Sequence, residues 1–239
     1  MYWYEKAGEC SQNQSAELFK NTEQPDKDGY VRREAITDWA LHEFRKKYHD
    51  DSITKLDIFW YVYGIFHSSE YKGRFESDLK KVLPRIPFAR DFWAFSNIGK
   101  QLGEWHLNYE SIEPYPLTEE KKDMMYDAAD WHVKKMTFAK VSGRNVDKSV
   151  IHYNSKLTLR DIPSEAYEYI VNGKSAIEWI MERYAVTVEN KSGISNNPND
   201  WCAEHDDPEY IVNLIKRVVR VSVETVRLVR ELPPIYEIE

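Results

Sequence analysis

Apolar positions fall at three- and four-residue steps through much of the first half of the chain. Ile36, Trp39, Ala40, Phe44 and Tyr48 recur at helical spacing between charged residues, which predicts an amphipathic helix over Glu34 to Tyr48. Thr54 with Asp57 approximates a capping box, and the run from Leu56 to Phe66 that follows has almost no polar face, so a second helix is expected at the buried centre of a helical subdomain. Glu70 to Val82 reads as a third, ended by Leu83-Pro84-Arg85-Ile86-Pro87, because two prolines cannot continue it. Asp91 opens a fourth, with Phe92, Phe95, Ile98, Leu102, Trp105 and Tyr109 as a regular stripe. Trp39, Trp60, Trp93 and Trp105 lie on the faces read as buried and are assigned to the core.

The pattern changes after Glu113-Pro114-Tyr115-Pro116. Val133, Lys135, Thr137 and the stretch Ser149 to Tyr153 read as short strands, separated by the turn formers Ser142-Gly143-Arg144-Asn145. Tyr167 to Val171, a strand or a short helix, closes on the turn Asn172-Gly173, and Ser175 with Glu178 forms a capping box for a helix from Ala176 to Tyr184. Lys191 to Trp201 is so rich in Ser, Gly, Asn and Pro that a polar loop is expected. Asp207-Pro208 then starts a long last helix, stopped by Pro233-Pro234 near Leu232 and weakened by its many valines. The fold class is therefore α+β. Residues 1–30 are read as a linker from a preceding domain, 31–117 as a helical subdomain, and 118–239 as a mixed part with short antiparallel strands and a long C-terminal helix.

Composition narrows the class further. Apolar residues make up 42% and aromatic residues 14% of 239, enough to pack a core without staples. No apolar run reaches the roughly 18 to 20 residues of a membrane span, and MYWYEKAGECSQ lacks the basic start and apolar stretch of a signal peptide. With only Cys10 and Cys202, both expected as free thiols, the chain is expected in the cytoplasm. Charge is unevenly spread. From Trp131 to Arg160 seven basic residues face the single acid Asp147, a local charge of +6 in a chain of formal net charge -7, so the remainder carries -13. Such asymmetry is what a phosphate-binding footprint looks like in a sequence, and a solvated basic surface gives the same count.

Chemistry is sparse. No GxxxxGK[ST] phosphate loop and no Gly-rich cofactor turn is present, and Asn197-Pro198-Asn199 is not the Asn-Pro-Pro-aromatic motif of amino-methyltransferases. Cys202 and His205 with Glu204, Asp206 and Asp207 fall short of a structural zinc set. Glu189-Asn190-Lys191 has the Glu-x-Lys shape of a magnesium nuclease but no convincing acidic partner upstream. His67, His106 and His152 sit among aromatics and are read as packed, leaving no catalytic residue and no metal site. The candidates for DNA contact are Lys134, Lys135, Lys140, Arg144 and Lys148 for phosphates, together with Asn154. The loop residues Lys191, Ser192, Asn196, Asn197 and Asn199 add donors and acceptors suited to base edges.

Several stretches together resemble the C-terminal specificity region of type ISP restriction-modification enzymes, the single-polypeptide relatives of type I systems. They are Ile36-Thr37-Asp38-Trp39-Ala40-Leu41, Ile53 to Tyr63, Pro84-Arg85-Ile86-Pro87-Phe88 with Asp91-Phe92-Trp93, Leu107-Asn108-Tyr109-Glu110, Tyr169 to Trp179, and Ser192-Gly193-Ile194 with Asn197 to Trp201. The resemblance implies a target recognition domain that contacts double-stranded DNA and follows an adenine N6-methyltransferase, a helicase-translocase and a nuclease. S-adenosylmethionine, ATP and magnesium would then be held outside this chain, which would need no cofactor and catalyse nothing alone. Two rivals remain: a helical coupler gripping the neighbouring methyltransferase or helicase parts without touching DNA, and a magnesium-dependent nuclease using Glu189 and Lys191.

Overall fold

The computed structural model describes residues 2–6, 27–124, 127–189 and 192–236. The chain divides into two compact units, residues 1–100 with 232–239 and residues 101–231. The division falls within a helix, while the Pro-rich stretch 114–116 lies inside the second unit.

The first unit begins with an antiparallel pair, β1 (Tyr2–Lys6) and β2 (Tyr30–Glu34), so part of the stretch 1–30 read as a linker is strand, while its residues 7–26 lie outside the described residues. Helices α1 (Asp38–Tyr48), α2 (Lys55–His67), α3 (Ser69–Leu79) and α4 (Phe92–Leu107) follow. The first helix starts later than its periodicity suggests, because Glu34 belongs to β2 and Thr37 accepts from the Ala40 N–H as the cap. Thr54 and Asp57 form the full capping box of α2. The core is aromatic: Tyr61 stacks on Phe92 at 4.9 Å, and Phe44 meets Phe88 at 4.9 Å. Tyrosine hydroxyls then fasten the Pro-rich segment between α3 and α4. Tyr71 donates to the Arg85 carbonyl, Tyr61 to that of Pro87 and Tyr48 to that of Ala89, all at 2.6 to 2.7 Å, while the Ala89 N–H donates back to Tyr61.

The tryptophan assignment needs correction. Trp39 is 72% exposed, because α1 buries Leu41, Phe44 and Tyr48, and at about 100° per residue Trp39 stands about 140° round the helix from Phe44. Trp93 is exposed too, its indole N–H donating to Asp50 at 2.9 Å, and Trp60 and Trp105 are half-buried.

The second unit is built on a four-stranded antiparallel sheet of order β3-β6-β5-β4: β3 (Thr118–Lys121), β4 (Thr137–Ser142), β5 (Asn145–His152) and β6 (Leu157–Arg160). Residues 133–136, read as part of a strand, are irregular. The hairpin β7 (Ile170–Val171) and β8 (Lys174–Ser175) turns on Asn172 and Gly173, both at positive φ as a type I′ turn requires. Ser175 and Glu178 box the start of α5 (Ala176–Arg183). A small pair, β9 (Thr187–Val188) and β10 (Ser195–Asn196), leads into α6 (Pro198–Glu204) and then α7 (Tyr210–Glu231). Helix α7 begins at Tyr210, later than Pro208, and its valine-rich stripe is in the core with Ile151, Tyr153, Leu157 and Leu159, so packing overrides weak intrinsic propensity. No helix among the described residues is long and apolar enough to cross a membrane.

Helices α2 and α4 meet at glycines. A Cβ on Gly99 would overlap the Trp60 carbonyl oxygen, which is backbone and cannot swing aside, whereas Gly73 in α3 faces open space. Gly99→Ala is therefore expected to lower stability by about 1 to 3 kcal/mol. Gly73→Ala should leave it unchanged or raise it by up to about 1 kcal/mol through helix propensity. Chemical denaturation of the two variants checks the opposite signs.

Candidate functional site

The segment from Asp130 to Lys134 runs from the end of a short 3-10 turn (Ala128–Trp131) into irregular backbone and has no ladder of its own, so its backbone acceptors need partners from elsewhere. All five carbonyls find one. Asn154 Nδ2 donates to Asp130 at 2.9 Å and to His132 at 3.1 Å, and the Tyr153 hydroxyl donates to Trp131 at 2.7 Å. Asn199 Nδ2 donates to Val133 at 2.8 Å, and the Val186 N–H donates to Lys134 at 2.9 Å. Asn199 Oδ1 also accepts from the Val133 N–H at 2.9 Å. Burial pushes the Tyr153 phenol well above its ordinary range, which keeps it a donor.

Fixed in this way, the segment turns His132, Lys134 and Lys135 toward a cleft of about 410 Å³ that His152, Asn154 and Lys156 also line. Both histidines are exposed. His152 is bonded to the Thr158 hydroxyl at 3.2 Å but is exposed, against the expectation that it is packed, whereas His67 and His106 are half-buried and bonded, His67 to the Tyr63 carbonyl and His106 to Thr225.

The seven cations of the basic stretch separate into two groups. Lys148 pairs with Glu178 at 2.8 Å, Lys156 with Asp130 at 2.6 Å and Arg160 with Glu120 at 2.5 Å. The hydrogen bond that Lys156 donates to Asp130 holds its ammonium above its usual pKa. Burial opposes ionisation of Glu178, but Lys148 and Ser175 outweigh it and draw the carboxyl below its usual range. Lys148 also stands 5.2 Å over the Tyr167 ring and 5.7 Å over Phe138, so it serves the packing of the sheet. Lys134, Lys135, Lys140 and Arg144 are exposed and have no acidic partner among the described residues. The first two reach the cleft, while the last two sit on the β4–β5 hairpin.

The stretch 192–201 is not the open loop that its composition suggests. Asn197 caps α6 by accepting from the Asn199 N–H, Pro198 occupies the first helical position and Asp200 the first turn, so residues read as turn formers are helix-start signals. Asn199 is 6% exposed, and with both atoms of its carboxamide bonded it is a brace for Val133. Asn154 braces too, its Oδ1 accepting from the Lys156 and Leu157 N–H groups. Ser192 donates to Glu189 at 2.6 Å, and Asn197 Nδ2 to Asp200 at 2.5 Å. Of the described candidate residues in this stretch, Asn196 alone is exposed without a side-chain partner, and Lys191 lies outside the described residues. Cys202 is buried and its neighbour His205 stacks on Trp201 at 4.0 Å; among the described residues no group of three or more His, Cys, Asp or Glu is placed to hold a metal ion.

Comparison with known proteins matches residues 1–214 to the Type ISP C-terminal specificity domain. Among solved structures, the ATP-dependent Type ISP restriction-modification enzyme LlaBIII bound to DNA is similar over 99% of this chain and 14% of its own, at 33% identity and a TM-score of 0.76. A nuclease-deletion mutant of the Type ISP enzyme LlaGI, in complex with a DNA substrate mimic, is similar over 80% of this chain and 17% of its own, at 41% identity and a TM-score of 0.68. A DrdV–DNA complex matches over 89% of this chain and 21% of its own, at 30% identity and a TM-score of 0.73. The chain thus spans less than a quarter of each of these proteins. No curated protein matches it.

Removing the Asn199 carboxamide would leave the Val133 N–H and C=O unpaired inside the core. Asn199→Ala is expected to cost about 1 to 3 kcal/mol for each group stranded. Asn196→Ala, at an exposed residue, should melt within the error of the parent. Thermal melting of the pair decides whether Asn199 is a brace or a surface residue.

Proposed function

The chain belongs to the Type ISP C-terminal specificity domain family, and from that membership we propose that it selects the double-stranded DNA sequence on which a larger restriction-modification enzyme acts. The observation that carries this reading is the placement of four unpaired cations, Lys134, Lys135, Lys140 and Arg144, on one sheet and its adjoining cleft in a chain that is acidic elsewhere. A phosphate approaching them meets no ion pair that must first be broken, and backbone phosphates dominate the affinity of proteins for DNA. Lys148 and Asn154, engaged in the sheet and the cleft wall, contribute by holding that surface in place. Asn196 stands next to α6 as a further polar contact, together with Ser192 and Asn197 where their present bonds exchange.

In this reading the chain contributes no catalytic group. The adenine methyltransferase, helicase-translocase and nuclease, with S-adenosylmethionine, ATP and magnesium, belong to the rest of the polypeptide, since the span aligned here is only 14 to 21% of each matched protein. The Glu189 of the nuclease alternative accepts a hydrogen bond from Ser192 and closes the β9–β10 turn through its own N–H and C=O.

Replacing Lys134, Lys135 and Lys140 together by Ala should weaken binding to all DNA sequences alike. The log-log dependence of affinity on salt should flatten by about 0.9 for each phosphate no longer neutralised. Fluorescence anisotropy with a specific and a scrambled duplex across a salt series measures both. An unchanged slope would favour the coupler reading, in which this surface never meets DNA.

A further inference from the structure

Contact with the backbone does not by itself tell one sequence from another, so a specificity domain needs exposed groups that can reach base edges. The stretch 192–199 offers few. Ser192, Asn197 and Asn199 are all bonded within the protein, and Asn199 is buried. The β4–β5 hairpin is the reverse case. Its two-residue turn is Gly143-Arg144, with positive φ at Gly143 and not at Arg144, the φ pattern of a type II′ turn. The register shifts between Lys140 and Ser142, so Val141 stands as a bulge and is 67% exposed, and Val146 is 44% exposed. The exposed tip thus carries the Arg144 guanidinium, the Asn145 carboxamide and two bare valines.

Among the described residues no acidic side chain pairs with this tip. Asp147, the one acid on the hairpin, accepts from the Ser149 N–H and hydroxyl at 2.9 and 2.6 Å, and Arg144 has no partner among the described residues. The stem, by contrast, is fixed: Ile151 is fully buried, Phe138 packs edge-on against Tyr167 at 5.9 Å, and the Tyr167 hydroxyl donates to the Lys148 carbonyl at 2.6 Å. A two-stranded ribbon is one of the two shapes that the DNA major groove admits, and the register shifts of this one, at Phe138/Ala139 and at Lys140/Ser142, increase its twist. Arginine's planar fork matches the O6 and N7 acceptors of guanine, and small apolar side chains suit the thymine methyl.

We propose that the β4–β5 hairpin is the base-reading ribbon of this domain, with Arg144 donating its guanidinium to a guanine in the major groove and Val141 and Val146 lying against neighbouring thymine methyls. The assignment rests on the DNA-recognition reading above and gives Arg144 a different task from Lys134, Lys135 and Lys140. The rival account of the same residues is edge protection: β4 is an outer strand of the sheet, and charged side chains on such a strand deter pairing with another chain.

The test is selection of duplexes from a randomised pool by the full chain, by Arg144→Ala and by Arg144→Lys, at one salt concentration. A salt titration on the selected site and thermal melting of each variant accompany it. The parent should enrich a short motif that contains a guanine. Arg144→Ala should enrich the same motif with that one position relaxed, discrimination there falling by about five- to 150-fold. Arg144→Lys keeps the charge and loses the fork, so it should hold affinity for random DNA and still lose the guanine. Both variants should melt with the parent. Uniform weakening by Arg144→Ala, with the salt slope flattened by about 0.9, would make Arg144 a phosphate contact and overturn the proposal. An unaltered motif, or one without guanine, overturns it in favour of edge protection. Enrichment of nothing by the parent would instead bring down the DNA-recognition reading itself.

Discussion

The set of hydrogen bonds that closes the carbonyls of Asp130 to Lys134 is the constraint on which the rest of the second unit depends. Where this segment is buried, as at Trp131 and Val133, its polar groups must be matched, and each one left open there costs about 1 to 3 kcal/mol. The matching groups come from three separate places: Tyr153 and Asn154 beyond β5, Val186 before β9, and Asn199 in α6. The segment can take its present course only when the sheet, the β9–β10 pair and α6 are all formed. Its exposed side chains His132, Lys134 and Lys135 consequently have a fixed base from which to line the cleft.

The first unit solves the same problem with tyrosine. The prolines at 84 and 87 keep the segment between α3 and α4 out of regular structure, and the hydroxyls of Tyr48, Tyr61 and Tyr71 take up its carbonyls. The same rings pack the aromatic core, so an apolar body and a polar tip serve two needs at one position. This explains why so aromatic a sequence folds without leaving those tips stranded, and why their hydroxyls, committed to backbone, do not serve other chemistry.

Charge in the second unit is divided by function. Lys148, Lys156 and Arg160 have acidic neighbours, and Lys148 covers two aromatic rings, so their charges are largely cancelled at close range. Exposed ion pairs of this kind add little stability, but they reduce the field that a distant phosphate experiences. What remains is a field from four side chains instead of seven, concentrated on the cleft and the hairpin tip. A sum over the sequence overstates that footprint, because it cannot see which acids fold back onto which bases.

The family, the α+β class and the local signals were legible in the sequence. The capping boxes at Thr54 and Ser175, the Asn172-Gly173 turn, the stripe of α4 and the long last helix all depend on residues within a few positions of one another, so their hydrogen bonds and periodicity are written locally. The α6 signal was present as well, since Asn197, Pro198 and Asp200 form a helix start, but the same residues also favour turns, and composition alone selects the loop. Tertiary structure alone decided that Trp39 faces outward, that His152 lines a cleft, that Asn199 is a brace, and which cations are free. Each of these depends on partners far along the chain, 66 residues apart for Val133 and Asn199. Periodicity fixes which residues share a face of an element, but the element packed opposite decides whether that face is covered, and only the folded chain supplies it.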